Sequence, residues 1–527
     1  MVYGFAIGFF SLLILLPWTW GRPRRSRNWL PVTLTIVLAA ASLSAWIHAS
    51  QFAFLLPAGI NQRLVKAAFW LSAAALVCFY TILIHRLQQR PYGKRSRLLF
   101  VVLALLSVYV VMERREAFRP RPNPTPRPST VDSSSRPLLC VVGIESATLD
   151  AVLPLAEQGH LPFFSTMLQS GAHSRLTSLR PVRRNALWST LVTGKLPHRH
   201  GVVGDRTHDV SFLEEGAHLK LLPLGIALER WGTVGQPQSV DSTALQVLPL
   251  WDIFHRLDIS TSLVGWPLTQ PIPLGVHSVL PEEFFSDGGG PIQPMELAER
   301  ARLFRTRVEE IDPALSSSFG PNPPHVVLEA LAQDLWRQNL ALFLLDQDPQ
   351  IESLLLMLPG LEEISKRYFG GFSAVQFQGA LHPDSQVAAQ LLTAYYTHLD
   401  QLLARIWESK KRPMLLAVVS SHGVEGSSGW KELRRRVLRQ PALEGSLSSG
   451  SPGLLMLLGD GIAPEVSLRS AHLVDLVPTL LYGMGLPSAR DFDGVVLTAA
   501  FDRAYLARQP LTLVPSYEAF LPRLTTP

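Results

Sequence analysis

The sequence predicts an α/β domain, with a largely parallel sheet sandwiched by helices, preceded by an all-α transmembrane segment. Three observations carry that prediction. Four apolar runs fill the first 112 residues, a Pro-rich stretch follows them, and from residue 138 short apolar segments alternate with amphipathic ones. Apolar runs of membrane length and strand–helix alternation are separate signals, so the chain divides into two parts of different solvent preference.

The apolar runs lie at 2–20, 29–57, 67–85 and 98–112. The first three are long enough to cross a hydrocarbon core of about 30 Å. The fourth is short and needs snorkelling flanks or a thinner bilayer. The first has no basic leader and no small-residue cleavage site, so it reads as an uncleaved span rather than a signal peptide. A membrane domain of about four helices over 1–112 is therefore expected. Arg22, Arg24, Arg25 and Arg27 form one basic loop, and Arg86, Arg90, Lys94, Arg95 and Arg97 a second. With both loops cytoplasmic the chain emerges on the opposite side, although Arg114, Arg115, Arg119 and Arg121 there run against the rule. The expectation is a multi-pass protein whose soluble part is extracytoplasmic, periplasmic or extracellular. Residues 113–137 form a Pro/Arg/Ser-rich linker, with prolines at 120, 122, 124, 126 and 128 that favour a semi-extended spacer.

Charge divides along the same line. Residues 1–136 hold 17 Lys+Arg against 3 Asp+Glu, and the remainder holds 31 against 39. The soluble part is acidic, which excludes a nucleic-acid partner that needs a basic face. The partners expected are the lipid bilayer and either other membrane proteins of the envelope or an anionic glycan or lipid. The two cysteines, Cys78 in an apolar run and Cys140 in a strand candidate, are not expected to pair.

In the soluble part the first strand is LLCVVGI at 138–144, and similar strands are read at 262–265, 354–358, 415–420 and 453–458. Helices are read at 148–158, 185–194, 295–312, 324–347, 385–408 and 474–485. Such alternation implies an α/β sandwich with its site at the C-terminal ends of the strands. Irregular stretches at 203–248 and 283–323 read as insertions around the mouth. The domain is bounded at 138–503, and 504–527 is a C-terminal tail without a recognisable motif.

The stretch 178–201, SLRPVRRNALWSTLVTGKLPHRHG, organises this domain. It reads as a loop entering a helix, with Arg184 just before the first turn and Gly194 ending it. With VVGIE at 141–145, PLWDIF at 249–254, VGWP at 264–267, LPGLEEISKRYF at 358–369, VVSSHG at 418–423 and HLVDLVPTLLYGMGLP at 472–487, the chain resembles the alkaline phosphatase superfamily, most closely its type I phosphodiesterase/nucleotide pyrophosphatase branch. The resemblance covers about 138–501 and implies an alkaline-phosphatase-like fold. It also implies a hydroxyl nucleophile and two divalent metals, usually zinc, that clamp the phosphoryl oxygens.

Carried over position by position, the implied site is degenerate. The nucleophile falls on Arg184, which has no hydroxyl and stays cationic. The first-strand Asp falls on Glu145. The Asp-x-x-x-His pair falls on Glu362 and Lys366, the Asp-His pair on Ser421 and His422, and the last histidine on Ser449. Two metals need about six ligands, and three plausible ones remain. No catalytic residue is expected to be active and no metal or other cofactor is expected. The arrangement implied is a membrane-anchored phosphodiesterase-like pseudoenzyme, binding or scaffolding in the cell envelope. Two alternatives stand beside it: an active phosphoric-ester hydrolase or phosphotransferase using zinc or another divalent metal, and a non-catalytic module that binds a phosphate or sulfate ester.

Simpler readings attach to several of these residues. His422 alone reads as a satisfied loop histidine, and His200 as a structural cap of its motif. Asp400 and Asp475 read as structural, and Ser189 and Thr190 lie within the helix. Glu362 and Lys366, four apart, would form an ordinary helix pair worth about 0.3–0.5 kcal/mol if exposed. The sharper expectation is that Arg184 and Lys366 supply the positive charge that metals would otherwise bring to Glu145 and Glu362.

Overall fold

The computed structural model describes residues 29–51, 58–112, 136–209, 218–219, 236–287, 290–379, 382–426, 444–447 and 450–518. It forms two compact units, Met1–Arg121 and Pro122–Pro527. The first apolar run, its basic loop at 22–27 and most of the linker lie outside the described residues, as do Ser449, the end of the tail and much of the 203–248 insertion.

In the first unit the described helices are α1 (Trp29–Gln51), α2 (Ala58–Leu87) and α3 (Lys94–Met112). They bury Leu38, Leu71, Ala74, Ala75, Cys78, Phe100 and Leu103 between them. Small residues let α1 and α2 approach closely, and hydroxyls join them: Ser42 Oγ lies 2.6 Å from Ser72 Oγ, and Trp46 Nε1 donates to Ser72 Oγ at 3.2 Å. Two stretches, Pro31–Ser50 and Asn61–Leu87, are long and apolar enough to cross a membrane. The α3 helix opens on Lys94, Arg95 and Arg97, leaving an apolar part of about 22 Å. The α2 helix starts well before the expected 67, because hydropathy marks the lipid-facing stretch and not the end of the hydrogen-bonded ladder.

The second unit is built on one mixed sheet. Its strands are β1 (Leu138–Ile144), β2 (Ala172–Thr177), β3 (Thr261–Val264), β4 (Ser278–Leu280), β5 (Ser353–Leu358), β6 (Met414–Ser420), β7 (Gly453–Gly459), β8 (Val466–Ser467) and β9 (Ala471–His472). Their order is β8-β2-β7-β6-β1-β5-β3-β4, with β9 also on β2. β1 pairs in parallel with β5 and β6, β3 with β5 and β4, and β7 alone runs against its neighbours β6 and β2. Alternation sorts each central strand onto two faces. Cys140, Val142 and Ile144 of β1, with Leu354, Leu356 and Leu358 of β5, point into one core, while Leu139, Val141, Leu355 and Met357 point into the other. Cys78 and Cys140 are both free thiols.

The first core is covered by α4 (Leu149–Glu157), α5 (Pro162–Ser170), α8 (His325–Gln347), α9 (Gly360–Gln378) and α10 (Pro383–Glu408). The second is covered by α6 (Arg184–Thr193), α7 (Leu250–Arg256) and α11 (Leu476–Gly483). Gly360, the first residue of α9, sits where a Cβ would lie 2.0 Å from the Tyr395 hydroxyl and 2.6 Å from Asp334 Oδ2. That close approach lets Asp334 accept from Gly360 N (3.3 Å) and Tyr395 Oη (2.7 Å), tying α9 to α8 and α10.

Three expectations need correction. The helix read at 295–312 is a short helix, Leu297–Leu303, and a separate turn, Val308–Glu310. Arg307 is extended between them, and Trp336 Nε1 takes up the Ala301 carbonyl at 2.8 Å. The strand read to residue 265 stops at Val264, because Gly265 takes a φ of 66°. Arg184 is the first residue of α6 and not the residue before it, Arg183 being the N-cap.

Candidate functional site

Parallel strands bring their C-terminal ends to one edge, and the charged residues gather there. Glu145 follows β1, and its N–H donates to Leu358 O at the end of β5 (3.1 Å). α9 begins two residues later and presents Glu362 in its first turn. Ser421 and His422 follow β6, and Glu282 lies two residues beyond β4. Arg184 reaches the same edge from the head of α6, a helix closed by Gly194 in the left-handed conformation (φ 63°).

Arg184 holds two acids. Its Nε pairs with Glu145 Oε1, and its Nη1 with Glu282 Oε2 at 2.8 Å. A cation in the first turn of a helix opposes the helix dipole, so these carboxylates offset an unfavourable placement. Trp188, one turn on, donates from Nε1 to the same Glu145 Oε1 at 3.0 Å. Both donors thus use one oxygen of a side chain that is 3% exposed. Burial pushes Glu145 upward, Arg184 pulls it back, and the nearby Glu362 and Glu282 raise it again, to about 8. Arg337, buried on α8, stacks 4.5 Å over Phe285 and donates to Gln333 O at 3.1 Å, adding a cation behind Glu282.

A second group forms around Glu362. Its Oε1 pairs with Lys366, and its Oε2 lies 3.5 Å from His422 Nε2. Burial would raise Glu362, but His422 and Lys366 outweigh it and hold the carboxyl down to about 2. His422 is 1% exposed, with Ser421 Oγ 3.0 Å from Nδ1 and Ser146 Oγ 3.4 Å from Nε2. Ser146 takes a φ of 65°, a conformation uncommon for a residue with a side chain. The two acids that end β1 and open α9 therefore titrate apart, Glu362 losing its proton first and Glu145 last.

The family model for type I phosphodiesterase / nucleotide pyrophosphatase matches residues 139–447, more than half of the chain. The chain belongs to this family. No curated protein matches it. Among solved structures, human ectonucleotide pyrophosphatase/phosphodiesterase 5 is similar at 12% identity and a TM-score of 0.40, over 72% of this chain and 100% of that one. An inactive form of the murine enzyme in complex with AMP is similar at 12% identity and a TM-score of 0.38, over 66% and 95%. Phosphonoacetate hydrolase from Sinorhizobium meliloti, in complex with phosphonoformate, is similar at 15% and 0.33, over 59% and 65%.

Within the type I phosphodiesterase fold, Glu145, Arg184, Glu362, Lys366, Ser421 and His422 are all at one end of the sheet, and Ser449 lies outside the described residues. The donors described at these positions do not fit two metals. Among the described residues no three His, Cys, Asp or Glu side chains are arranged to hold one. Glu145 Oε1 already accepts two N–H groups, Lys366 is a cation, and Ser421 is turned to His422. Arg184 offers no oxygen for attack on phosphorus.

Sequence reasoning missed Glu282, Ser146 and Arg337. Glu282 follows β4, a three-residue strand too short for its pattern to register, and Ser146 shows itself only through its backbone angle. The residues read as structural behave so. Asp400 accepts from Phe163 N (3.1 Å) and Phe164 N (2.7 Å), capping α5, and Asp475 accepts from His472 N and Val495 N, both at 2.8 Å. His200 lies 3.0 Å from Thr190 Oγ1 and accepts from Val202 N at 3.2 Å. His422 is different: it belongs to the charged group.

Proposed function

We propose that this type I phosphodiesterase family member is a pseudoenzyme, a membrane-tethered domain that binds or scaffolds in the cell envelope and does not turn over phosphodiesters. One observation carries the reading: Arg184, where resemblance places the nucleophile, is engaged with Glu145 and Glu282. A guanidinium there pairs with Glu282 and hydrogen-bonds Glu145, so neither acid is left without a partner at the position where the resemblance would put a nucleophile and its metals. The bilayer is its first partner, through the apolar helices, and the basic loop at 86–97 favours an extracytoplasmic domain.

The test is turnover of bis(4-nitrophenyl) phosphate by the full chain in nanodiscs, with zinc or manganese added. Background rates are expected. Uncatalysed cleavage is slow enough for a weak enzyme to stand out. Turnover above background that Glu145→Ala abolishes would establish the active metal-dependent alternative.

One observation favours a second reading, an anion-binding module. Arg184 Nη2 is buried and has no hydrogen-bond partner. A phosphate or sulfate ester could use that donor without being cleaved. Calorimetric titration with phosphate, sulfate and AMP separates the two, since a pure scaffold binds none of them.

A further inference from the structure

A basin lies on the outer face of the helical layer, away from the charged edge. It has a volume of about 810 Å³ and is lined from the turn that follows α4, from α9 and α10, and from the short helix Pro313–Ser317. It meets α9 at Gln376, about four turns or ~20 Å along the axis from Glu362. Its size is that of an ordinary small-ligand site.

Its lining is unusual in kind. Amides come from Gln386, Gln390 and Gln401 and from Gln158 and Gln376, which hydrogen-bond each other at 2.9 Å, and hydroxyls from Ser318, Thr393 and Thr397, the last donating to Thr393 O at 3.0 Å. No Lys, Arg, Asp or Glu contributes. On α10 the polar members Gln386, Gln390, Thr393, Thr397 and Gln401 recur at helical spacing, while Leu391, Leu392, Tyr395 and Leu399 on the other side enter the core. Leu315, Val387 and Ala394 add aliphatic patches between the amides. His398 lines the basin at 3% exposure, and its Nε2 is buried without a partner. Burial, helped by Arg405, lowers His398 to about 4, so the ring is neutral and offers one donor and one acceptor.

We infer that this basin is a second binding site, for an uncharged, hydroxyl-rich ligand of the saccharide class. Amides and hydroxyls both donate and accept, which matches sugar hydroxyls, and the aliphatic patches match their C–H faces. The lining includes His160 and His398 but no Lys or Arg, which disfavours an anionic ligand whose charge would be left without a fixed cation on desolvation. A peptide strand is disfavoured too, because the lining comes from helices and the turns that end them, with no strand edge to extend. The inference does not depend on whether Arg184 has replaced a nucleophile.

The test uses the full chain in lipid nanodiscs free of sugar-based detergent. Saturation-transfer NMR and calorimetry would follow uncharged tri- to pentasaccharides of hexose and N-acetylhexosamine. A sulfated tetrasaccharide and a Gln/Ser/Gly pentapeptide serve as the competing probes. Binding of at least one uncharged saccharide at about millimolar Kd or tighter is expected. Gln390→Trp, at an exposed α10 position, should fill the basin and weaken binding at least about tenfold, and Gln401→Ala should weaken it less. Binding that survives Gln390→Trp, preference for the sulfated probe or the peptide, or no binding of any uncharged saccharide would overturn the assignment.

Discussion

Replacing Glu145 by glutamine should stabilise the domain, which is the reverse of what a buried ion pair or a metal ligand predicts. Glu145 is raised to about 8 by burial and by the two carboxylates beside it, so the folded chain holds it protonated at neutral pH. In the unfolded chain the same group ionises near 4.5. Between those values the folded state binds more protons, so this residue's contribution declines as pH rises and is fully present only below about 4.5. Each pH unit costs about 1.4 kcal/mol, giving a penalty of order 3 kcal/mol at pH 7. Glutamine carries no such penalty. Its carbonyl can still accept from Arg184 Nε and Trp188 Nε1, which both use Oε1. Urea-pulse proteolysis of the full chain in nanodiscs, scoring the soluble domain, would measure the difference at pH 5, 6, 7 and 8. The gain for Glu145→Gln should be small at pH 5 and grow to about 2–3 kcal/mol at pH 7. A loss of stability at pH 7, or a difference that does not change with pH, would refute the argument and restore an ionised Glu145.

Other consequences are simpler. Lys366 is 44% exposed, so Lys366→Met should cost only about 1 kcal/mol, read by the same proteolysis assay. Glu362 is lowered, so its contribution is present above about 4.5 and lost toward pH 2, and Lys366→Met should move acid unfolding to higher pH. His398 is lowered to about 4, so stability should fall as pH drops from 6.5 toward 4, and His398→Phe should flatten that part of the profile. Gly360→Ala places a methyl against the Tyr395 hydroxyl and Asp334, and should destabilise by about 1–3 kcal/mol while loosening the start of α9, read by hydrogen exchange.

The sequence by itself determined the layered fold. The short continuous apolar runs of β1, β5, β6 and β7 and the amphipathic period of α8 and α10 are local properties, and local properties can be read along a chain. It also determined that Arg184 lacks a hydroxyl and that Lys366 is a cation, since these are matters of residue identity. The edges of that reading were softer. β4 and β8 are too short to show a period, and α2 runs past the apolar stretch that announced it. Only the tertiary structure decided which charges meet. Glu282 is 98 residues from Arg184 and has no pattern of its own, yet the parallel order of β1, β5, β3 and β4 carries it to the same edge. Glu145 and Glu362 are both acids in the sequence, and nothing there separates them. Burial beside like charge raises one and a neighbouring lysine and histidine lower the other, because a carboxyl's proton affinity depends on what the fold packs around it.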